Sequence, residues 1–308
     1  MKILVTGGLG AVGAPLCALL RASGHEVWVL DRPHHHGVGG QYYLRGDVGE
    51  YRQMERVFDE HGFEFVYHAA AEFGRINGEH FYETLWRTNA VGVKNIVTLQ
   101  ERHRFRLVLF SSSEIYGDWS GVMLEDVPDR HAVHQLNDYA ISKWVNELQV
   151  RNSAALHQTE TVTVRLFNTY GPGEPYSEYR SVICKFIYAA LHDLPYTVYL
   201  NHHRTSSFID DTCRTLAAIC TRFRAGAVYN IAGNTYHDIK SVSDTILRMC
   251  GKSDRLVKYE EIEHHNTLNK RTDAARARED LDHRETVPLE EGLARTIAWQ
   301  RTYYGVQD

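Results

Sequence analysis

Tyr139 and Lys143 stand four residues apart in Asn137-Asp138-Tyr139-Ala140-Ile141-Ser142-Lys143-Trp144, a run that reads as the start of a helix. That interval stacks a phenol and an ammonium on one helix face. A phenol titrating near 10 is a poor base at neutral pH, but a neighbouring cation favours its ionised form, and the pair can then take a proton from an alcohol. A second cluster, Ser111-Ser112-Ser113-Glu114, closes the apolar run Leu107-Val108-Leu109-Phe110 with three hydroxyls and a carboxylate. A third, Thr6-Gly7-Gly8-Leu9-Gly10-Ala11-Val12-Gly13, separates Ile3-Leu4-Val5 from the helical Pro15-Leu16-Cys17-Ala18-Leu19-Leu20. Gly7, Gly10 and Gly13 allow a tight turn there, so that backbone amides around Ala11 and Val12 can approach a pyrophosphate.

Several elements must position these clusters. Further apolar, β-branched runs are Val27-Trp28-Val29-Leu30, closed by Asp31; Tyr42-Tyr43-Leu44, stopping at Gly46-Asp47; Phe65-Val66-Tyr67, stopping at His68; and Val162 to Leu166. Helical patterns such as Tyr51 to Glu60 lie between strands, which predicts parallel pairing in a doubly wound α/β sheet. Ligands of such a sheet meet the carboxyl ends of its strands, where the glycine cluster and the Ser111 to Glu114 cluster fall. Asp31, ending the second strand, can accept ribose hydroxyls and repel a 2′-phosphate, which favours NAD; Arg32 beside it can pair with that phosphate and keeps NADP open. A nicotinamide ring near Tyr139 would favour the phenolate further. From about residue 169 the alternation weakens, and Tyr170-Gly171-Pro172-Gly173-Glu174-Pro175 reads as a loop opening a smaller lobe.

The balance of 34 basic against 39 acidic residues gives a net charge of −5 with no basic block, so the sequence carries no footprint for a nucleic-acid backbone. An anionic ligand must therefore be held by local groups. Cys17, Cys184, Cys213, Cys220 and Cys250 are odd in number and form no C-x-x-C pair, which points to reduced thiols. No window is apolar for the length of a membrane span, and no signal core follows Met1-Lys2, so the expectation is a cytoplasmic protein without membrane partners. His34-His35-His36 lack carboxylate or cysteine partners and read as a solvated loop rather than a metal site.

Over essentially its whole length the chain resembles the extended short-chain dehydrogenase/reductases, specifically the NAD-dependent sugar-nucleotide epimerases and dehydratases. The glycine signature matches Thr6 to Gly13, the ribose acid Asp31, and the adenine-contacting pattern Gly46-Asp47-Val48. The strand-end His-x-Ala-Ala matches His68-Ala69-Ala70-Ala71, with Asn89 ahead of Gly92 and Asn95. The catalytic hydroxyl matches Ser112, and the base pair matches Tyr139 and Lys143. The substrate-binding Arg-x-x-Asn-x-Tyr-Gly-Pro matches Arg165, Asn168, Tyr170, Gly171 and Pro172, and Arg204 best matches an arginine that contacts the diphosphate.

The resemblance implies a Rossmann NAD-binding domain over 1–168 and a mainly substrate-binding lobe over 169–308, with segments near 207–235 returning to the first. It implies a homodimer and an enzyme that oxidises a nucleotide-diphosphate sugar transiently at carbon 4. Glu114 then discriminates between reactions. Simple 4-epimerases usually carry a small or neutral residue there, whereas 4,6-dehydratases use a glutamate to remove the carbon 5 proton, made acidic by the ketone. Ser112-Ser113-Glu114 looks like the Thr-Ser-Glu of GDP-mannose-type dehydratases and of UDP-glucuronate decarboxylases; dTDP-glucose-type dehydratases have aspartate where Ser113 stands. The decarboxylases expect a Pro-rich loop where this chain has Glu72 to Glu79, and an arginine where Lys270 stands. A 4,6-dehydratase is therefore the first expectation, with a 4-epimerase or other keto-intermediate epimerase next, then a decarboxylase or a non-catalytic NAD sensor. Glu72 and Arg75 are expected to face the sugar, and Arg180, Lys185 and Arg204 the diphosphate.

Overall fold

The computed structural model describes residues 1–33, 42–263 and 266–307. The histidine run 34–36 lies outside these described residues. Ile3, Leu4 and Val5 expose nothing, so β1 (Lys2–Thr6) is buried on both faces, as a central parallel strand must be. After it come α1 (Gly13–Ala22), β2 (Glu26–Asp31), β3 (Tyr43–Arg45) and α2 (Tyr51–His61); α2 ends on Gly62 at φ 58, a left-handed value that glycine adopts freely. β4 (Phe65–His68) leads to α3 (Arg75–His80), α4 (Tyr82–Trp86) and α5 (Gly92–His103). β5 (Arg106–Ser112) is followed by a single tight turn at Ser113–Tyr116, then α6 (Val127–Arg130), α7 (Asp138–His157) and β6 (Thr161–Leu166).

The later chain forms β7 (Thr169–Tyr170), α8 (Val182–Leu191), β8 (Tyr196–Tyr199), β9 (His203–Thr205), β10 (Ser207–Phe208) and α9 (Ile209–Ala218). β11 (Val228–Ile231), β12 (Tyr236–Asp238), α10 (Ile239–Met249), β13 (Val257–Glu260), β14 (Asn269–Lys270), α11 (Ala275–Leu281) and α12 (Leu289–Tyr304) complete it.

Seven parallel strands make the main sheet in the order β11-β6-β5-β4-β1-β2-β3. Connections run outward from β1 in both directions, so the crevice between the ends of β1 and β4 is the switch point of a doubly wound Rossmann sheet. Alternate residues feed opposite layers: Ile3, Val5, Phe65, Tyr67, Val108 and Phe110 join one core cluster, and Leu4, Val66, Leu107 and Leu109 the other. The strands outrun their apolar stretches because Asp31, His68, Ser111 and Ser112 keep pairing. β11 pairs with β6 from Val228↔Thr163 to Ile231↔Leu166, and α9 packs on α1. Short sheets, β12-β9-β14 and β13-β8, stand across the crevice.

One buried ion pair ties α7 to this sheet. Arg165 Nε and Nη2 donate to Glu147 at 2.9 and 2.8 Å, and Ser111 Oγ donates to the same carboxylate at 2.5 Å. Arg165 also donates to the Tyr116 hydroxyl at 2.8 Å. This corrects the expectation that Arg165 binds substrate: its guanidinium is 0% exposed and fully committed to protein groups. Its task is to hold the helix that carries Tyr139.

Candidate active site

The glycine loop closes on itself and on the end of β4. A side chain on Gly13 would begin 2.2 Å from the Gly7 carbonyl, and one on Gly7, at φ 70, would begin 2.7 Å from the Ala70 nitrogen. No side chain caps α1; Ala14 N donates to the Gly10 carbonyl at 2.9 Å and Pro15 has no N–H, so the loop amides of Ala11 and Val12 are the ones that can meet phosphate oxygens. Asp31 accepts from Leu9 N at 3.0 Å and from Arg32 N at 2.8 Å, which fixes its carboxylate between loop and strand. The Arg32 guanidinium turns away to Glu72 at 2.6 Å. That commitment favours ribose hydroxyls over a 2′-phosphate beside Asp31, so the residues present fit NAD.

The remaining expected cofactor residues sit around this crevice. Asp47 accepts from Gly49 N at 2.8 Å, and Val48 is buried with its carbonyl accepting from Asn95 Nδ2 at 2.8 Å. His68 Nδ1 lies 2.8 Å from Thr6 Oγ1; burial and the Lys143 charge push its pKa down to about 3, so the ring stays neutral. Ala69 lines the cleft, and Ala70 N reaches Thr6 Oγ1 at 3.4 Å. Asn89 spends its amide on Glu72, in both directions, and on Ser142, so it shapes the loop after β4.

Gly7, Gly10, Ala11, Val12, Gly13, Ser112, Glu114, Tyr139 and Lys143 line one cleft of about 590 Å³ between the sheet and segments of the chain after residue 168. Asn137 caps α7 by accepting from Ala140 N at 2.8 Å, which presents Tyr139 in the first turn, and Ser142 Oγ donates to the Tyr139 carbonyl at 2.8 Å. Lys143 Nζ donates to the Phe110 carbonyl at 2.9 Å and stands 5.8 Å from the centre of the Tyr139 ring. Burial lowers its pKa to about 8. Burial pushes the Tyr139 phenol up, a hydrogen bond with Ser112 works against that rise, and Glu114 adds to it. The Ser112 oxygen also accepts from Glu114 N at 3.2 Å, which holds the hydroxyl beside the phenol.

Across the cleft, Lys270 Nζ donates to Glu114 Oε1. Burial opposes ionisation of Glu114, but Lys270, Arg75 and Arg204 outweigh it and hold the carboxyl below its ordinary range. Arg75 pairs with Glu263 at 2.5 Å and lines the cleft, whereas the Glu72 carboxylate accepts from Arg32 and from Asn77 Nδ2. This corrects the expectation that Glu72 faces the sugar. Ser113 is buried on the cleft wall, and Asn168, at φ 39, carries a buried Nδ2 without a partner. Arg180, Lys185 and Arg204 line the same cleft; among the described residues none of them joins an ion pair. Arg204 donates to the His203 and Leu268 carbonyls at 2.9 and 2.7 Å, and burial lowers its pKa to about 10.

Glu263 and the contact of Lys270 with Glu114 escaped the sequence reading, because no local spacing marks a pair 156 residues apart. Among the described residues there is no cluster of metal-ligating side chains, and no helix is long and apolar enough to cross a membrane.

Known proteins are similar to this chain in sequence and fold. The family described as "NAD dependent epimerase/dehydratase family" matches residues 3–232. A dTDP-glucose 4,6-dehydratase of Streptomyces niveus is 27% identical over 98% of this chain and 93% of its own. A UDP-N-acetyl-alpha-D-glucosaminuronate decarboxylase of Bacillus cytotoxicus is 27% identical over 97% and 98%. The solved structure of MoeE5 in complex with UDP-glucuronic acid and NAD is 25% identical, with a TM-score of 0.86 over 98% of this chain and 100% of that one. The chain is thus an enzyme of the NAD-dependent epimerase/dehydratase family, and NAD is its cofactor.

Proposed function

We propose that the protein is a 4,6-dehydratase acting on a nucleotide-diphosphate hexose. The carrying observation is an ionised carboxylate, Glu114, in the same cleft as Ser112 and Tyr139. Tyr139 takes the proton of the carbon 4 hydroxyl while Ser112 donates a hydrogen bond to the same oxygen. Bound NAD supplies the oxidising equivalent at carbon 4 and, through its charged ring, further favours the phenolate. Lys143 adds a cation behind the phenol. Once carbon 4 is a ketone, the carbon 5 proton is acidic and Glu114 removes it, which lets the carbon 6 oxygen leave.

The distribution of charge supports a neutral hexose over a uronate. Of the cations around Glu114, Arg75 and Lys270 are paired with Glu263 and Glu114. Glu174 lies near Arg180 and Lys185, and Glu114 and Glu263 near Arg204, yet among the described residues none of the three cations is in an ion pair, which leaves them to the charges of a diphosphate. Asn168, with its unpartnered amide, and Ser113 complete the substrate set. Dimerisation and a cytoplasmic setting are further parts of this reading, resting on the family resemblance and the buried free cysteines. The test is incubation of the NAD-loaded protein with dTDP-glucose, GDP-mannose, UDP-glucose and UDP-glucuronic acid. A 4-keto product lighter by one water from a neutral hexose supports the reading; an isobaric product, or carbon dioxide from the uronate, refutes it.

A further inference from the structure

Removal of the carbon 6 oxygen as water needs an acid, and Ser113, whose hydroxyl titrates far above neutrality, cannot serve as one. Lys270 can. We propose that Lys270 is the catalytic acid that protonates the oxygen leaving carbon 6, coupled directly to Glu114 as the base; the proposal rests on the dehydratase reading above.

Three features of the cleft carry it. Lys270 lines the cleft and is hydrogen-bonded to Glu114, so acid and base stand side by side in it, the arrangement that a syn elimination across carbons 5 and 6 needs. β14 pairs with β9 in parallel with Lys270 opposite Arg204, which sets the two side chains on the same face of that small sheet. The charged groups facing Lys270 are then Glu114, which holds its proton on, and Arg204 and Arg75, which with burial push it off. Proton uptake by Glu114 removes the one opposing charge in this set. Arginine does not surrender a proton under these conditions, so the excess positive charge is relieved through Lys270.

The step balances. Glu114 takes the proton from carbon 5, and the electrons of that bond become the second bond between carbons 5 and 6. The bond from carbon 6 to oxygen breaks, its electron pair stays on oxygen, and oxygen receives a proton from Lys270 Nζ and departs as water. No oxidant or reductant is consumed in the elimination.

The experiment compares wild type, Lys270→Arg and Lys270→Met in deuterated water, using whichever of dTDP-glucose, GDP-mannose or UDP-glucose the wild type converts, and the 6-deoxy-6-fluoro analogue of that sugar. Arginine keeps the charge but holds its proton, and in the methionine variant Arg75 and Arg204 still face Glu114. Both variants should lose water elimination by about 100-fold or more, the usual weight of general acid catalysis. Both should still exchange the carbon 5 hydrogen for deuterium, and both should recover with the fluoro analogue, because fluoride departs without a proton. Undiminished water loss in either variant overturns the proposal. So does loss of carbon 5 exchange without fluoride rescue, which would make Lys270 only a holder of Glu114. A wild-type product that keeps its water overturns the dehydratase reading itself and this step with it.

Discussion

Replacing Lys143 by methionine should stabilise the cofactor-free protein while destroying its activity. The ammonium is buried, its one hydrogen bond among the described residues goes to the Phe110 carbonyl, and burial alone brings its pKa from 10.5 to about 8. A displacement of that size corresponds to about 3 kcal/mol against the folded state at neutral pH. Leaving the Phe110 carbonyl without its donor returns about 1 kcal/mol, for a net gain near 2 kcal/mol. The sign with pH follows from the two pKa values. Folded Lys143 sheds its proton near 8 and unfolded Lys143 near 10.5, so between them unfolding takes up a proton and the wild type grows more stable as pH rises. The advantage of the variant is therefore full below pH 8 and gone by about pH 9.5, at roughly 1.4 kcal/mol per pH unit. Urea denaturation of both proteins at pH 7 and pH 9.5 measures it. An advantage that does not change with pH, or a variant less stable at pH 7, would refute the reasoning.

Tyr139→Phe should reduce turnover by at least about 100-fold with NAD affinity, measured by calorimetry, essentially unchanged; normal turnover would remove Tyr139 from the chemistry. Asp31→Ala should weaken NAD binding by about tenfold and narrow the preference over NADP, since both the ribose acceptor and the repulsion of a 2′-phosphate go with the carboxylate. Arg165→Met strands the buried Glu147 charge and should cost about 3–5 kcal/mol in denaturant unfolding, whereas adding Glu147→Met should restore most of it. Equal costs for the single and double variants would mean that the pair is not the constraint on α7.

The parts of the molecule that sequence made legible are those written in local pattern. Ile3 to Val5, the glycines and Asp31 lie within one βαβ stretch, and Tyr139 and Lys143 share a helix face, so periodicity alone brings each set together. The side chains misplaced were those whose partners are distant in the chain. Arg165 sits in a substrate-binding motif yet ends against Glu147, because a strand buried on both faces leaves its side chain no route to the cleft. Glu72 was expected to face the sugar, but Asn89 holds its backbone from both sides and aims the carboxylate at Arg32. The Lys270 contact with Glu114 depends on β14 joining β9, a pairing of two-residue and three-residue strands too short to leave a period in the sequence.

Central to the account is an ionised Glu114 that removes a proton from carbon 5 of a ketone formed at carbon 4. Its most direct test is Glu114→Gln against wild type, with a neutral nucleotide hexose in deuterated water and products followed by mass. The wild-type product should be lighter by one water and carry deuterium at carbon 5, and the variant should neither exchange carbon 5 nor release water while still oxidising carbon 4. A variant that eliminates water at the wild-type rate, or a wild-type product with all its oxygens and no deuterium at carbon 5, would contradict it.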